Sequence, residues 1–465
     1  MTMSSSRRST GAALAFVLLF VPLPVLHGQD FHVDASVVAS GDGKSWGKAF
    51  KTLQEALKVA TMGQEVWVAR GTYVGGFAVP PGVAVRGNFV PGDTRPSQRM
   101  PGESQTILDG ANQQRVLTAG TGALLESLQI VRGMAGAPGG GGLLCEGTRP
   151  ILRHCIFRGN HTSGRGTALY AVNNSKGVKA DPLVESCYFV GNGILGPGAI
   201  HNIDVCNSKG RFHNIGVHLN SDNGLHFHQG STVEILNSYF VGNTGRGICH
   251  IDALSSSRIE NCLFYKNSVS LVHYVGKELH TIAAVNALPG AKNNLDADPQ
   301  FVPSSTNIPL YFAPGSPLVD AGQDLAGASL LDLASNLRQL DGDLDGKIRT
   351  DIGPLELAAS RIDITGKPAP GGLMILELLT AQPKLPTVMI FGTGPAAKPI
   401  LIQPWGHLQI DLTSFFLPVA WYQTGAKTPF QIPVTFPKGG SIAFQNLALT
   451  TRSGNLSNLY DLRVR

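Results

Sequence analysis

The chain has 465 residues, more than one ordinary globular core holds, so either several domains or an elongated repeat is expected. Charged residues make up only 15% of the sequence and 56 residues are Gly, which indicates closely spaced tight turns. The formal net charge is +5 and the sequence has no run of five or more Lys or Arg residues, which excludes a nucleic-acid partner.

The first 28 residues have the order of a secretory signal. Arg7 and Arg8 precede an apolar run from residue 11 to residue 26, and the small residue Gly28 follows it. The alternative is a membrane anchor, but two prolines interrupt this run of about 16 residues, where roughly 20 are needed to span a bilayer. We therefore expect residues 1–28 to be removed on export, leaving a secreted or cell-surface chain without a transmembrane helix.

A short motif recurs between residues 151 and 268. Each copy alternates large apolar with polar residues, which is typical of strands rather than helices. The copies end in Asn160, Asn192, Asn220, Asn243 and Asn267. The interval between successive Asn residues is in each case shorter than the roughly 40 residues of a propeller blade. We predict an all-β, right-handed parallel β-helix, with each Asn at a left-handed turn position and bonded to its neighbours along the stack.

Three segments accompany these coils. Residues 30–75 are expected to form an N-terminal cap, in which an amphipathic helix at residues 49–61 covers the first coil. The periodicity fades later, and residues 292–356 are expected to close the other end, so that the β-helix spans residues 30–356. Residues 361–465 contain alternating segments separated by Pro and Gly, which predicts a small β-sandwich-like domain.

Placing the coils in register at the interval from Asn243 to Asn267 predicts one polar wall. Two sets of residues recur at this interval: Asp204, His228 and Asp252, and Asn202, His226 and His250. Positions two apart in a strand face the same side, and the intervening Ile203, Phe227 and Ile251 are expected to face the core. Three neighbouring coils would then present His and carboxylate side chains about 4.8 Å apart.

The first set is a candidate acid/base site. A His between two Asp residues is pushed toward its protonated form, and Asp204 and Asp252, two strands apart at roughly 9 to 10 Å, suit an inverting hydrolase. A metal site is an alternative, although no standard zinc spacing is present. An exposed polar strand face without a ligand is a further alternative. The residues expected to contact sugar are Asn202, His226, His250 and Arg211.

Cysteine positions follow the same repeat. Cys155, Cys187 and Cys262 are placed at one position of the motif, where Asn214 and Ser238 stand in the other coils. Interchange with Asn and Ser argues against a required disulfide, so we expect buried thiols, while a bridge between Cys155 and Cys187 stays open.

A calcium-loop pattern begins at residue 341 with Asp-Gly-Asp-Leu-Asp-Gly. Acids alternate and a Gly provides the turn, as oxygen ligation of Ca²⁺ requires. Asp341, Asp343 and Asp345 are therefore candidate calcium ligands. The twelfth position holds Ile352 where the pattern expects Glu, so a polar turn without an ion stays the alternative.

Three stretches resemble a known family. They are Phe31 to Ala35 with Gly71 to Tyr73, the repeated Cys/Asn-x-Phe-x-x-Asn coils, and Gly315 to Gly322 with Arg349 to Gly353. Over roughly residues 31–356 the chain resembles bacterial secreted or surface right-handed β-helix proteins of the pectin-lyase-like superfamily. The superfamily contains polysaccharide lyases, glycoside hydrolases and adhesins, so the resemblance implies the fold and leaves the activity open. The ending Asn458 to Val464 resembles a C-terminal module of exported planctomycete proteins.

Three hypotheses for the function follow. We favour an exported β-helix that binds polysaccharide or acts as an adhesin. The alternatives are a polysaccharide lyase or glycoside hydrolase acting at Asp204, His228 and Asp252, and a structural envelope component. We expect a monomer whose partner is a polysaccharide or another envelope component, with calcium as the one candidate cofactor.

Overall fold

The computed structural model describes residues 30–357, except 97–98, 100–104, 194–200, 303–310, 314, 335–336, 344 and 346, and beyond them only strands between residues 360 and 463. The predicted signal, residues 1–28, lies outside the described residues. None of the helices in the described part of the chain has the length and hydrophobicity needed to cross a membrane.

Three long sheets form the predicted parallel β-helix, and each complete coil contributes one strand to each sheet. Sheet A contains, in spatial order, Phe31–Val33, Glu65–Ala69, Ala84–Phe89, Leu124–Glu126, Ile151–Arg153, Leu183–Glu185, Lys209–His213, Thr232–Leu236, Ser256–Glu260 and Ala291–Lys292. Sheet B contains Gly71–Val74, Thr106–Asp109, Gln129–Val131, Ile156–Arg158, Tyr188–Val190, Gly216–His218, Tyr239–Val241, Leu263–Tyr265 and Leu295–Asp296. Sheet C contains Phe77–Val79, Leu117–Ala119, Leu143–Glu146, Leu169–Val172, Ile203–Cys206, Leu225–His228, Ile248–His250, Val272–Tyr274 and Lys277–Leu279.

One continuous apolar core fills the space between the three sheets. Sheet B shows the pattern, because its inward positions carry Phe157, Phe189, Val217, Phe240 and Phe264, all fully buried. Phe157 stacks on Phe189 with ring centroids 4.7 Å apart, and Phe240 stacks on Phe264 at 5.6 Å. Each fully buried Phe contributes roughly 1.5–3 kcal/mol, so stacking of coils is the main stabilising event.

The predicted asparagine ladder is confirmed. Asn160 Nδ2 donates to Asn192 Oδ1 at 3.0 Å, and the same bond repeats from Asn192 to Asn220, Asn220 to Asn243 and Asn243 to Asn267. The predicted backbone conformation is wrong, however. The residues with positive φ are those one position earlier, Gly159, Gly191, Leu219, Gly242 and Lys266. That preceding residue turns the chain, which leaves the Asn side chain directed along the stack.

A second series of left-handed residues marks the corner between sheets A and B. Its members include His154, Ser186, Asn214, Asn237 and Asn261. The strand register pairs His213 with Glu185, so Ile215, not Asn214, stands at the position of Cys187. The expected place of Asn214 is therefore corrected by one residue. All six cysteines are free and buried, as expected.

A short helix covers the first coil. The predicted helix at residues 49–61 is observed as Leu53–Val59 and follows a 3₁₀ turn at Trp46–Lys48. Thr52 and Glu55 form a capping box that satisfies backbone N–H groups at its start. Leu53, Ala56 and Leu57 are buried against the core of the β-helix.

The other end is closed differently from our expectation for residues 292–356. The antiparallel strand Lys277–Leu279 and the helix Ile282–Asn286 cover the last coil, with Val285 in the core. The described residues between 311 and 357, here called the flank segment, instead lie along the outside of sheet B, where Leu318 and Ile352 pack with Tyr239. This outer face is apolar, so it requires a cover of its own.

Small strand pairs and a separate set of antiparallel strands complete the structure. The pairs are Met134–Ala135 with His161–Thr162, and Phe301–Val302 with Tyr311–Phe312. The later strands are Ser360–Gly366, Leu373–Thr380 and Lys427–Gln431 in one sheet; Leu417–Tyr422, Thr387–Gly392, Ser441–Leu449, Gly454–Leu456 and Tyr460–Arg463 in a second; and Pro395–Ile402 with Gly406–Ile410. Each of these strands pairs antiparallel with its neighbours, and the β-sandwich-like domain at residues 361–465 stays a prediction.

Candidate functional site

Sheet C carries the predicted polar wall, but its register differs from the interval used to predict it. Ile203 pairs with Leu225, and Leu225 pairs with Ile248, so both steps are shorter than the step from Asn243 to Asn267. The loop between sheets B and C is longer in the coil of Asn192 than in the next coil, so a spacing counted in sheet B does not transfer to sheet C. Asp204 is consequently paired in register with His226, and the two predicted sets of three do not form.

The coil that contains His250 and Asp252 adds neither of these predicted residues to the polar wall. The carboxylate of Asp252 caps a turn, where it accepts hydrogen bonds from the backbone N–H groups of Leu254 and Ser255 at 3.0 and 2.9 Å. His250 stands in the register position of Phe227, and its Nε2 donates to the carbonyl of Asp252 at 2.9 Å. Ile251, expected in the core, is 44% exposed.

Arg211 and Asn202 were expected to contact sugar, but their surroundings differ from that prediction. Arg211 belongs to sheet A, on a different face of the β-helix, where its Nε lies 3.4 Å from an oxygen of Asp181. Asn202 is buried beside the polar wall, and its Nδ2 donates to the carbonyl of Gly224 at 3.3 Å. Of the residues expected to contact sugar, Asn202 and His226 are the two that lie near Asp204.

A compact group of charged residues forms around Asp204 on the outer face of sheet C. Asp204 is fully buried, with Oδ2 3.0 Å from Nδ1 of His226 and Oδ1 3.3 Å from Nε2 of His228. Nη1 of Arg165 lies 3.4 Å from Asp204 Oδ2, and the Arg165 side chain is 44% exposed. His201 stacks on His226 with ring centroids 3.7 Å apart. We call Arg165, His201, Asp204, His226 and His228 the Asp204 cluster.

The two histidines that share Asp204 have opposite pKa shifts. Burial and the charge of His201 lower the pKa of His226 to about 4, although Asp204 partly compensates. Burial also disfavours the charged form of His228, but hydrogen bonds to Asp204 and Cys206 outweigh it and raise the pKa to about 9. Burial disfavours the Asp204 carboxylate, yet its bonds to both imidazoles hold its pKa well below the usual range. At neutral pH Asp204 is therefore ionised, His226 neutral and His228 cationic.

Comparisons with known proteins give two distant structural neighbours. A crystal structure of pectate lyase Pel9A has 14% identity and a TM-score of 0.34, with 70% of this chain and 96% of that chain covered. Tailspike protein gp49 of the Acinetobacter baumannii bacteriophage Fri1, a capsular polysaccharide depolymerase, has 12% identity and a TM-score of 0.21, covering 94% of this chain and 88% of that chain. No family model and no curated protein matches the sequence. The interpretation of the Asp204 cluster therefore depends on its own geometry and charge.

Three members of the cluster are close enough to share a metal ion. One ligand atom from each of His201, Asp204 and His226 lies within 4.8 Å of the others, and two imidazoles with a carboxylate suit transition metals. Both oxygens of Asp204 are already engaged, however, and the cationic groups of Arg165 and His228 lie within 3.4 Å of them. This charge arrangement favours an anionic ligand over a metal cation.

Sequence reasoning missed Arg165 and His201. Arg165 lies just before the sheet C strand Leu169–Val172, which pairs with the strand of Asp204. His201 likewise precedes Ile203–Cys206. A search for charged residues immediately before each sheet C strand would have found both, because loops between sheets B and C place their ends at the edge of this wall.

Proposed function

We propose that this protein binds an acidic polysaccharide at the Asp204 cluster. The observation that supports this most directly is the position of Arg165, whose guanidinium is partly exposed while one of its nitrogens contacts the buried Asp204. A guanidinium held on one side keeps other N–H donors for a ligand, and its planar fork matches a carboxylate or sulfate.

The charges of the cluster support an anionic ligand. Arg165 carries a guanidinium cation, His228 is cationic at neutral pH and Asp204 supplies one negative charge, so these three groups carry a net charge of +1, while the carboxylate of Asp222 lies 3.0 Å from Nδ1 of His201. Asp204 is fully buried and contacts both cations, which fixes their positions without competing at the surface. Nη1 of Arg165 and Nε2 of His228 lie 3.3 Å apart, so together they suit one acidic group of a uronic-acid or sulfated chain.

Hydrolysis is less well supported by this geometry. An inverting hydrolase needs two carboxyl groups on either side of the scissile bond, but Asp252 caps a separate turn. Asp204 is fully buried and both of its oxygens contact other side chains, so it is poorly placed to exchange a proton with a sugar. We therefore favour binding over catalysis for this site.

The test is retention of the protein on immobilised acidic and neutral polysaccharides. We expect retention on at least one acidic polymer, and Arg165→Gln is expected to weaken it about tenfold or more, because a charge-assisted hydrogen bond is lost. Arg158→Gln is the matched control, since Arg158 is exposed on sheet B and its loss removes the same charge elsewhere. Retention of all three proteins to the same degree would contradict the proposal.

The pH dependence of the same assay isolates His228. The cation is present below its pKa of about 9 and is lost above it, so retention is expected to fall as the pH rises through about 9. His228→Gln is expected to bind more weakly at pH 7 and to lose this additional decrease. Release of unsaturated products or reducing ends that disappears in Arg165→Gln would replace binding by a lyase or hydrolase activity, and absence of retention on every polymer would favour a structural envelope component.

We also propose that the chain is exported and acts outside the cell or at its surface. The support is the basic, apolar and small-residue order of residues 1–28 in the sequence. N-terminal sequencing of the protein from the producing cells is expected to begin near Gln29. A mature protein that retains Arg7 and Arg8 would contradict cleavage.

A further inference from the structure

We propose that the flank segment binds one calcium ion through Asp320, Asp341 and Asp343. One carboxylate oxygen from each of these residues lies within 4.8 Å of the others. The three come from two stretches of the segment, so the ligands converge by folding and not by sequence adjacency alone.

Burial distinguishes this group from an ordinary acidic turn. Asp320 is 6% exposed and Asp341 is 9% exposed, while Asp343 lies at the surface. Oδ2 of Asp320 accepts a hydrogen bond from the Asp343 backbone N–H at 3.0 Å. Oδ1 of Asp320 is shielded from solvent and has no hydrogen-bond partner in the described part of the chain. A buried carboxylate oxygen without a donor is costly, and a cation beside it removes that cost.

The chemistry of the donors specifies the kind of ion. Asp320, Asp341 and Asp343 offer only carboxylate oxygens, which are hard ligands that suit Ca²⁺ and not the softer transition metals. Calcium takes six to eight oxygens in a flexible arrangement, so backbone carbonyls or water can complete the shell. One surface ligand leaves a path for the ion to enter.

This set differs from the one predicted from the calcium-loop pattern. Asp345 belongs to that pattern, but its Oδ1 accepts a hydrogen bond from the Lys347 backbone N–H at 2.8 Å and its Oδ2 lies 3.3 Å from Lys347 Nζ. Asp320 takes its place, although it lies outside the motif. A local pattern cannot reveal a ligand that the fold supplies from an earlier stretch.

The position of Asp320 indicates what the ion would do. Its backbone N–H donates to Oδ1 of Asp351 at 2.7 Å, and the nearby Gln323 N–H donates to Asn237 of the β-helix at 3.0 Å. An ion bound by Asp320, Asp341 and Asp343 would link the stretch around Asp320 to the turn that contains the other two residues. We therefore expect calcium to stabilise the attachment of the flank segment to the coils.

The experiment is calorimetric titration of CaCl₂ into the full mature chain after dialysis against a chelator, with thermal unfolding in parallel. Wild type is expected to bind one Ca²⁺ and to unfold at higher temperature when it is bound. Asp343→Asn removes a surface ligand and is expected to weaken binding about tenfold or more, and Asp341→Asn is expected to act in the same direction. Asp345→Asn is the matched control and is expected to leave the affinity within about twofold, since the structure excludes it from the ligand set.

Three results would overturn the calcium proposal or one of its parts. Absence of calcium binding by the folded wild-type chain overturns the proposal. A loss for Asp345→Asn as large as that for Asp343→Asn overturns the assigned ligand set and restores the simple loop pattern. Equal binding of Mg²⁺ at the same concentration overturns the assignment to calcium, because Mg²⁺ requires a tighter octahedral shell. Far-ultraviolet circular dichroism without calcium confirms that the variants are folded before they are compared.

Discussion

Replacing Asn220 by alanine is expected to destabilise the β-helix by about 3–5 kcal/mol, because four buried hydrogen bonds are lost together. Asn220 Nδ2 donates to Asn243 Oδ1 at 3.0 Å and to the Phe189 carbonyl at 3.1 Å. Its Oδ1 accepts from the backbone N–H and the Nδ2 of Asn192 at 3.0 and 3.1 Å. Alanine removes all four bonds, and of the partners only Asn243 Oδ1, which still accepts from the backbone N–H of residue 220, and Asn192 Nδ2, which still donates to the Phe157 carbonyl, keep another bond described here.

Urea unfolding followed by circular dichroism measures this loss. Asn173→Ala is the matched control, because Asn173 is only partly buried and its Nδ2 has one long contact of 3.4 Å with the Asn174 carbonyl. The control is expected to change the free energy of unfolding by no more than about 0.5 kcal/mol. Similar losses in the two variants would show that the ladder adds little to stability.

Replacing Arg338 by methionine is expected to cost about 3–5 kcal/mol and to release the flank segment first. Arg338 is buried, with Nη1 2.8 Å from Glu356 Oε1 and Nη2 donating to Ser186 Oγ at 2.8 Å. Methionine fills much of the volume but leaves the Glu356 carboxylate buried without its cation. Limited proteolysis of the flank segment and thermal unfolding measure the two effects.

The pH dependence of the Arg338→Met variant follows from Glu356. Burial raises the pKa of Glu356 above its usual value, and Arg338 opposes that rise, so removal of the cation raises the pKa further. A raised folded-state pKa favours folding at low pH, and this contribution is lost as the pH rises. The variant is therefore expected to be less destabilised at pH 5 than at pH 8. A destabilisation that is the same at both values would contradict this account.

Two further variants separate charge from volume. Arg349→Met, in the same segment, removes a half-exposed side chain that lies 3.9 Å from Asp345, and it is expected to cost at most about 1 kcal/mol. Combining Arg338→Met with Glu356→Gln is expected to recover part of the lost stability, because no unpaired buried charge remains.

The β-helix itself was predictable because it depends on residues that repeat. The terminal Asn of each motif and the Phe three positions before it recur in nearly every coil, and each occupies one place in the stack. The turn conformation was assigned to the wrong residue, since both Gly and Asn tolerate positive φ and the sequence does not say which one turns. The capping helix was correct in place but shorter than predicted.

The candidate site was less predictable because it depends on loops that do not repeat. Asp204, His226 and His228 were all chosen from the sequence, yet their register was displaced by the unequal loops between sheets B and C. Arg165 was missed because it lies 39 residues before Asp204 and belongs to no motif. The position of the flank segment could not be predicted from its own sequence. It packs on an apolar outer face of sheet B, which the alternating strand pattern predicts to be exposed to solvent.

The two corners that border sheet B use positive-φ residues for different purposes. Between sheets B and C the positive-φ position is often Gly, as at residues 159, 191 and 242, where the chain changes direction. Between sheets A and B the same conformation is held by His154, Asn214 and Asn237, whose side chains bond to Leu331, Asp351 and Gln323 of the flank segment. Glycine adopts positive φ with less strain. The non-glycine residues at this corner therefore cost some conformational energy, but they supply side chains that bind the flank segment. The two corners of the β-helix therefore have different roles: the corner between sheets A and B binds the flank segment, whereas the glycines between sheets B and C turn the chain.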